Sequence, residues 1–571
     1  MSLTPSCVKT LGGVPTLFVN DKPVAQTAYI TYLTDRNRYA DFAGAGYKLY
    51  SMPVYFATRT MSERSQMPPF SPGIFENEEP DFSNFDREVD QILEVCPDAM
   101  IFPRVNINPP IRWDEQHPDE MEDCALSQIA KKRPCFSSDL WAEEVKSMLT
   151  RYIRHIQAAP YAGNIIGYQI AGGSTDEWFA FDDMASQGLR SREKYAGYLK
   201  ETGLCDTEPE YYRFLSKMLA KRICEFASHV KALTQNSQIV GSFYGYTCES
   251  VNRGTGHHAL ETVLNSPDID FLCSPVAYAF DRAPGRDHPP HIPVESVKLH
   301  GKLYFAENDT RTHLSRPYNY TPHFARKVWF GPDKETSREL MRLHFSSTIT
   351  HSHASWWFDM WGGWYADEYY MDTARRALEI AGEALRKDRR SVSELAVIVD
   401  EAAFSHIGSK GYEEDRLVGY KVAKDTRPAL GTSGVPYDLF LASDYESIRS
   451  RYKAFIIIKP YPTPLAESIE KDIAKNGGAC LVIDKTNCSI TAAEIRAFCK
   501  NASVHVYTEK DAAVHANESY IYLHTSSEGE YTLKMPDPDV TLKDAFTGED
   551  VTFPMNLRFG KTLLLEIIRP H

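Results

Sequence analysis

Short apolar runs recur at residues 28–33, 49–56, 100–105, 165–170, 239–244, 271–278, 303–306 and 354–358, and the long gaps between them carry helical periodicity. In one gap, Trp141, Val145, Met148, Leu149, Tyr152, Ile153 and Ile156 fall at three-to-four spacing behind the cap candidates Ser137 and Ser138. Similar patterns cover 85–95, 208–233, 334–348 and 369–385. Strands that alternate with helices pair in parallel through right-handed crossovers. Eight such units in about 390 residues match a (β/α)8 TIM barrel with insertions. An open doubly wound sheet is the competing arrangement, but no GxGxxG or Walker loop follows any of the runs.

The pattern restarts after a charged linker at 387–390. Wholly apolar strands are expected at 395–399, 455–458, 480–483 and 504–507, with helices at 465–475 and 492–499 between them. Such strands belong in a parallel sheet covered on both faces. From about residue 518 the runs become short and are joined by polar turns, at 520–523, 531–533, 551–553 and 563–567. Three units follow: a barrel with an N-terminal hairpin over 1–390, a Rossmann-like (flavodoxin-like) α/β domain over 391–515, and a small antiparallel, β-sandwich-like domain over 516–571.

The balance of charges excludes whole classes of partner. A net charge of −14 offers no electrostatic footprint for nucleic acid or an anionic membrane surface. No apolar run approaches the ~18 residues of a membrane span. The first thirteen residues lack a charged segment followed by an apolar one, so a cytoplasmic chain is expected. Eleven cysteines stand singly without CxxC spacing, which points to free thiols rather than disulfides or zinc.

In a barrel, chemistry belongs where strands end and loops begin. Two carboxylates meet that condition. Glu177 lies in the run Gly-Tyr-Gln-Ile-Ala-Gly-Gly-Ser-Thr-Asp-Glu-Trp at 167–178, just past the fourth strand. Its small residues at 171–174 would let backbone approach a ligand, and Trp178 would form an apolar wall. Glu307 directly ends the seventh apolar run, where an unpaired charge is costly to desolvate. It needs a purpose or a partner, and Arg311 is the nearest candidate partner in sequence. Two carboxylates across a pocket suit glycosidic cleavage, one protonating the departing oxygen while the other attacks or stabilises the anomeric carbon.

This strand-four and strand-seven placement resembles the clan A glycoside hydrolases, whose acid/base follows strand four and whose nucleophile ends strand seven. The order of barrel, α/β unit and small β unit is similar to that of the family 42 β-galactosidases and the family 164 β-mannosidases. The resemblance implies a retaining, exo-acting β-glycosidase with Glu307 as nucleophile and Glu177 as acid/base, needing no metal or organic cofactor. It also implies that the middle unit helps build a homotrimer. Many clan members carry Asn before the acid/base, where this chain has Asp176. The clan's Trp-Gln-x-x-Asn-Glu run is broken too, because Glu177 follows Gln169 by eight positions instead of four. Asp176 and Glu177 therefore stay open as alternatives for the acid, and the Ala-Gly-Gly…Glu-Trp form stands nearer family 164.

Other strand ends supply candidate walls. Arg104, Asn106 and Asn108 follow strand three and would fix sugar hydroxyls, or else cap their own loop. Tyr244 and Tyr246 end strand five, and Tyr278 ends strand six, where the clan resemblance implies a tyrosine bonded to the nucleophile. After strand eight comes Trp-Trp-Phe-Asp-Met-Trp at 356–361. Either Trp356 or its neighbour Trp357 should face the core, since adjacent strand residues point opposite ways. Trp361 adds stacking surface, and Asp359 would bind a hydroxyl or hold an arginine. The basic clusters at 131–133 and 387–390 read as solvated faces. The substrate expected is a small oligosaccharide or glycoside, with galactose and mannose both open. A non-catalytic sugar-binding barrel and a metal-dependent barrel hydrolase are the rival readings. The latter would draw on His257, His258, His351 or His353, which lack metal-ligand spacing after an early strand.

Overall fold

The computed structural model describes residues 3–59, 69–123, 133–180, 187–249, 251–277, 282–309, 311–315, 331–408, 418–419, 421–422 and 426–570. All eight expected barrel strands are present. They are Thr27–Ile30; Leu49–Tyr50 resuming as Pro53–Tyr55; Met100–Ile101 resuming as Arg104–Asn106; Gly167–Ala171; Ile239–Phe243; Phe271–Pro275; Leu303–Asn308; and Ala354–Phe358. Strands two and three each break beside a proline, Pro53 and Pro103, which has no N–H to give the ladder. Every neighbouring pair is parallel, and the eighth strand pairs with the first through Ser355↔Thr27 and Trp356↔Ala28. Pairing of the second strand with the first and third completes the closed (β/α)8 barrel.

The helices form where the periodicity places them. Asp139–Ala158 starts at Ser138, whose hydroxyl accepts the Trp141 N–H at 3.0 Å. Its buried stripe packs on Glu208–Leu233, with the Trp141 and Phe226 rings edge to face at 5.3 Å. Lys334–Thr350 and Glu368–Ala384 open on the Asp caps Asp333 and Asp367. Strands enclosed by such helices are buried along their whole length, as a parallel sheet requires. The expected hairpin is Val14–Val19 with Lys22–Pro23. A further strand, Ser6–Leu11, precedes it and fastens to the lower end of the barrel through Ser6 N–H to the Ser237 carbonyl at 2.8 Å.

A second, four-stranded parallel sheet runs in the order Tyr437–Leu441, Leu395–Val399, Ala454–Ile458, Ala479–Ile483. The strand expected at 504–507 does not form; the fourth strand of the sheet is Tyr437–Leu441, at the edge beside Leu395–Val399. Asp438 hid this strand from the apolar pattern. Its buried carboxylate accepts from Tyr452 at 2.7 Å and Ser391 at 2.8 Å, so the strand tolerates a charge inside. The 504–507 backbone is instead satisfied outside any ladder, by Glu394 and Gly434.

An antiparallel sheet of Ala512–Ala516, Tyr520–Thr525, Thr562–Ile568, Thr541–Asp544 and Asp550–Val551 ends the chain. Gly529–Tyr531 pairs separately with Met555–Leu557. The first of these strands starts at Ala512, ahead of the expected boundary at 516. Among the described residues no helix is long and apolar enough to cross a membrane. The ten described cysteines are free thiols, and Cys124 lies outside the described residues.

Candidate active site

Glu307 ends the seventh strand pointing into the barrel, and its partner is Arg104 from strand three rather than Arg311. The Arg104 guanidinium meets the Glu307 carboxylate at 2.5 Å, with both side chains buried. The same guanidinium donates to the Tyr32 hydroxyl at 3.0 Å and to Gln169 at 3.3 Å. It lies within 4.6 Å of the Phe243 ring centre and 5.2 Å of those of Trp356 and Phe358. An Arg fork suits this position because its planar donors and its stacking faces are used together. Arg311 instead lies over the Trp364 ring at 6.0 Å.

The loop after strand four is held in a constrained shape. Thr175, Asp176 and Trp178 all have left-handed backbones, at φ of 58°, 65° and 61°. Three such non-glycine residues together carry a conformational cost that their surroundings must offset, a pattern concentrated at functional sites. Tethers are plentiful. Asn106 donates to the buried Asp176 carboxylate, Arg133 donates to the Gly173 carbonyl at 2.7 Å, and Asn108 donates to that carbonyl at 3.4 Å. Arg133 is therefore a buried brace of this loop, not part of a solvated basic face. The Glu177 carboxylate accepts from Thr175 at 2.8 Å and from the Tyr246 hydroxyl at 2.9 Å.

Several expected wall residues lie elsewhere. Trp178 is fully buried, donates to the Ile170 carbonyl and stacks near Phe226. Its indole occupies the space beside Gly172, so the small residues of this loop make room for tryptophan rather than for ligand. Tyr244 points out of the barrel and donates to the Gly256 carbonyl at 2.7 Å. Tyr246, two residues on, is the tyrosine that reaches the carboxylate; strand alternation would send both to one face, but the strand ends at Phe243 and Gly245 between them turns the chain with a φ of 85°. Asp359 accepts from Tyr29, Gly363 N–H and Trp364 N–H at 2.8–2.9 Å, so it organises its own turn.

Trp356 faces inward and stacks on Phe305 at 5.1 Å, whereas Trp357 faces outward and donates to Tyr47. Trp356 is fully buried at the level of Glu307 and offers no open face for a sugar. Trp361 lies beside Tyr32 and Phe70 at the barrel mouth. Gln169 props Arg104 from below while donating to Cys273 at 2.9 Å. Tyr278 lies outside the described residues. Tyr32 was not legible as a site residue, since it gains its role only from its contact with Arg104 across strands, whereas Thr175 reaches Glu177 within its own loop.

The electrostatics order the two glutamates. Burial, reinforced by the neighbouring Glu307 charge, pushes the Glu177 carboxyl up to about 8. Burial lifts Glu307 to about 7, with Arg104 pulling the other way. Asp176 is raised by burial to about 6, against Arg104 and its bond from Asn106. Tyr32 lies in the field of Arg104, Asp176, Glu307 and Glu177 together. The arrangement can hold a proton on Glu177 while Glu307 is ionised.

One group elsewhere has metal-binding residue types, Glu295, His351 and His515. Their ligand atoms lie within 4.8 Å of one another, but the two imidazoles are stacked on each other at 3.5 Å and 21°, and Lys298 stands 3.4 Å from Glu295 as its counter-ion. Two large clefts, about 890 Å³ beside Gly12 and Lys387 and about 740 Å³ between Arg213 and Glu401, contain none of the candidate site residues.

No family model and no curated protein matches the chain in sequence. Solved structures match in shape over nearly its whole length. A β-galactosidase from the haloarchaeon Halorubrum lacusprofundi is 12% identical, covers 95% of this chain and 99% of its own, and superposes with a TM-score of 0.63. The β-galactosidase of Bacillus circulans sp. alkalophilus is also 12% identical, with 95% and 98% coverage and a TM-score of 0.60. A family 42 exo-carrageenase from Bacteroides ovatus is 13% identical, covers 100% of this chain and 86% of its own, and has a TM-score of 0.56. The chain thus shares the fold of these β-galactosidases, a TIM barrel followed by a parallel α/β sheet and a small antiparallel sheet.

Proposed function

We propose that the chain is a retaining, exo-acting β-glycosidase that removes a terminal galactose or mannose. The observation that supports this best is a buried Glu307 ion-paired to Arg104 together with a half-buried Glu177 whose carboxyl is raised by burial and by the Glu307 charge. Glu307 attacks the anomeric carbon as the glycosidic C–O bond breaks, and the Glu177 proton passes to the leaving oxygen. Water then attacks the glycosyl ester, Glu177 takes its proton, and Glu307 leaves as carboxylate. Tyr246 and Thr175 hold Glu177 in place, which favours it over Asp176 as the acid. Asp176, held by Asn106, is left to bind a sugar hydroxyl.

A panel of nitrophenyl β-glycosides tests the assignment, with chelator-insensitive turnover expected. Labelling with 2-fluoro sugars of galactose and mannose should leave a covalent adduct on the peptide carrying Glu307. Sugar binding without turnover would support a non-catalytic barrel, and chelator-sensitive turnover a metal-dependent one. The middle sheet, by family resemblance, helps build a trimer in the cytoplasm; sedimentation that finds a stable monomer removes that assignment.

The raised carboxyls also set a pH dependence. Turnover needs Glu307 ionised and Glu177 protonated, so kcat/KM should peak between limbs near 7 and 8 that belong to the coupled pair. Glu177→Gln should remove the alkaline limb from whatever activity remains. The same shift affects stability. A carboxyl raised on folding costs nothing below its unfolded value of about 4.3 and costs most above its folded value. Glu177→Gln should therefore raise Tm progressively from pH 4 to pH 8, and an equal Tm gain at both ends would refute the shift.

A further inference from the structure

Arg427 belongs to helix Thr426–Gly431, between the first two strands of the middle sheet, yet its side chain is buried among barrel loops. One guanidinium nitrogen donates to the Cys248 carbonyl at 3.4 Å and to the Glu249 carboxylate at 3.3 Å. The other donates to the carbonyls of Pro289 at 3.0 Å and Pro290 at 2.8 Å. A single fork thus ties the loop after strand five to the loop after strand six. Cys248 N–H reinforces the tie by donating to the His291 carbonyl at 3.4 Å.

The strand-five loop carries Tyr246, whose hydroxyl holds Glu177 at 2.9 Å. Glu249 N–H donates to the Tyr246 carbonyl at 3.0 Å, so the residue gripped by Arg427 closes the same turn as the tyrosine. His291, one residue past the other end of the clamp, packs edge-on against the Tyr246 ring at 5.0 Å. His257 also supports it, with its Nδ1 accepting the Tyr246 N–H at 3.4 Å and its ring centre 4.7 Å away. Tyr246 is therefore packed by two histidines, one of which adjoins the clamp.

We propose that Arg427 is a positioning residue for the catalytic acid, acting on Glu177 through Glu249, His291 and Tyr246. The middle sheet then contributes to catalysis from outside the barrel, besides any part in assembly. The inference rests on the reading of Glu177 as the general acid.

Leaving-group dependence isolates that step, because protonation matters for a poor leaving group and hardly for an activated one. Arg427→Met is compared with wild type on phenyl and 2,4-dinitrophenyl β-glycosides of the sugar that wild type turns over. We expect kcat/KM to fall at least ~10-fold on the phenyl glycoside and within ~3-fold on the dinitrophenyl one. Arg427→Lys, which cannot span both pairs of acceptors, should lie between. Should Arg427→Met fail to fold, Glu249→Ala loosens the same clamp and should show the same split.

Equal losses on both substrates, or no loss on either, overturn the proposal. Glu177→Ala run in parallel separates the two levels. A split in Glu177→Ala without one in the clamp variants rejects Arg427 alone, and no split in Glu177→Ala removes the acid assignment and this inference with it.

Discussion

Glu307→Gly is expected to lower hydrolysis by at least ~10⁴-fold, since the covalent intermediate can no longer form. The void it leaves borders the Arg104 guanidinium, which stays in place as a buried cation. A small anion should enter that void, so added azide should restore turnover of activated aryl glycosides. Stereochemistry makes the test specific. Azide standing in for Glu307 attacks from the side opposite the leaving group and yields the α-glycosyl azide. In Glu177→Ala the glycosyl-enzyme still forms, and azide then displaces Glu307 from the other side to give the β-glycosyl azide. Hydrolysis that persists in Glu307→Gly removes Glu307 from the mechanism, and a β-azide product from that variant would exchange the two roles.

The barrel, and the placement of Glu177 and Glu307 at the ends of its fourth and seventh strands, could be read from the sequence because they depend on local rules. Buried parallel strands must be apolar, and a strand end is where a barrel displays chemistry, so Glu307 after Phe305 and Ala306 stood out. Partnerships across the barrel could not be read this way. Arg104 lies 203 positions from Glu307, and only the closed sheet puts strand three opposite strand seven. The tyrosines show the same limit at shorter range. Tyr244 and Tyr246 look alike in the text, but the strand-end geometry sends one toward the helices and the other toward Glu177. Trp178 misled for a related reason. A tryptophan in a loop of small residues suits a ligand wall, yet here Gly172 admits the indole itself. Asp438 made the converse error possible, because a charge inside an otherwise apolar strand breaks the pattern unless its partners are known.

Arg104→Met should damage stability and activity together. The guanidinium is the direct counter-ion of a buried carboxylate, and truncating one member of such a pair typically costs about 3–5 kcal/mol. Methionine fills much of the volume and keeps apolar contact with the Phe243, Trp356 and Phe358 rings, so the loss reports mainly on charge. Without Arg104 the Glu307 carboxyl must rise further above about 7. The sign of the pH dependence follows. Destabilisation should be smallest at acid pH, where Glu307 is protonated in both proteins, and should grow as pH rises. The acid limb of kcat/KM should move up toward the alkaline limb near 8, so the optimum narrows and falls. Arg104→Met combined with Glu307→Gln removes both charges at once and should recover much of the lost stability. If that double variant is no more stable than Arg104→Met alone, the cost lies in packing, and Arg104 is not what keeps Glu307 charged.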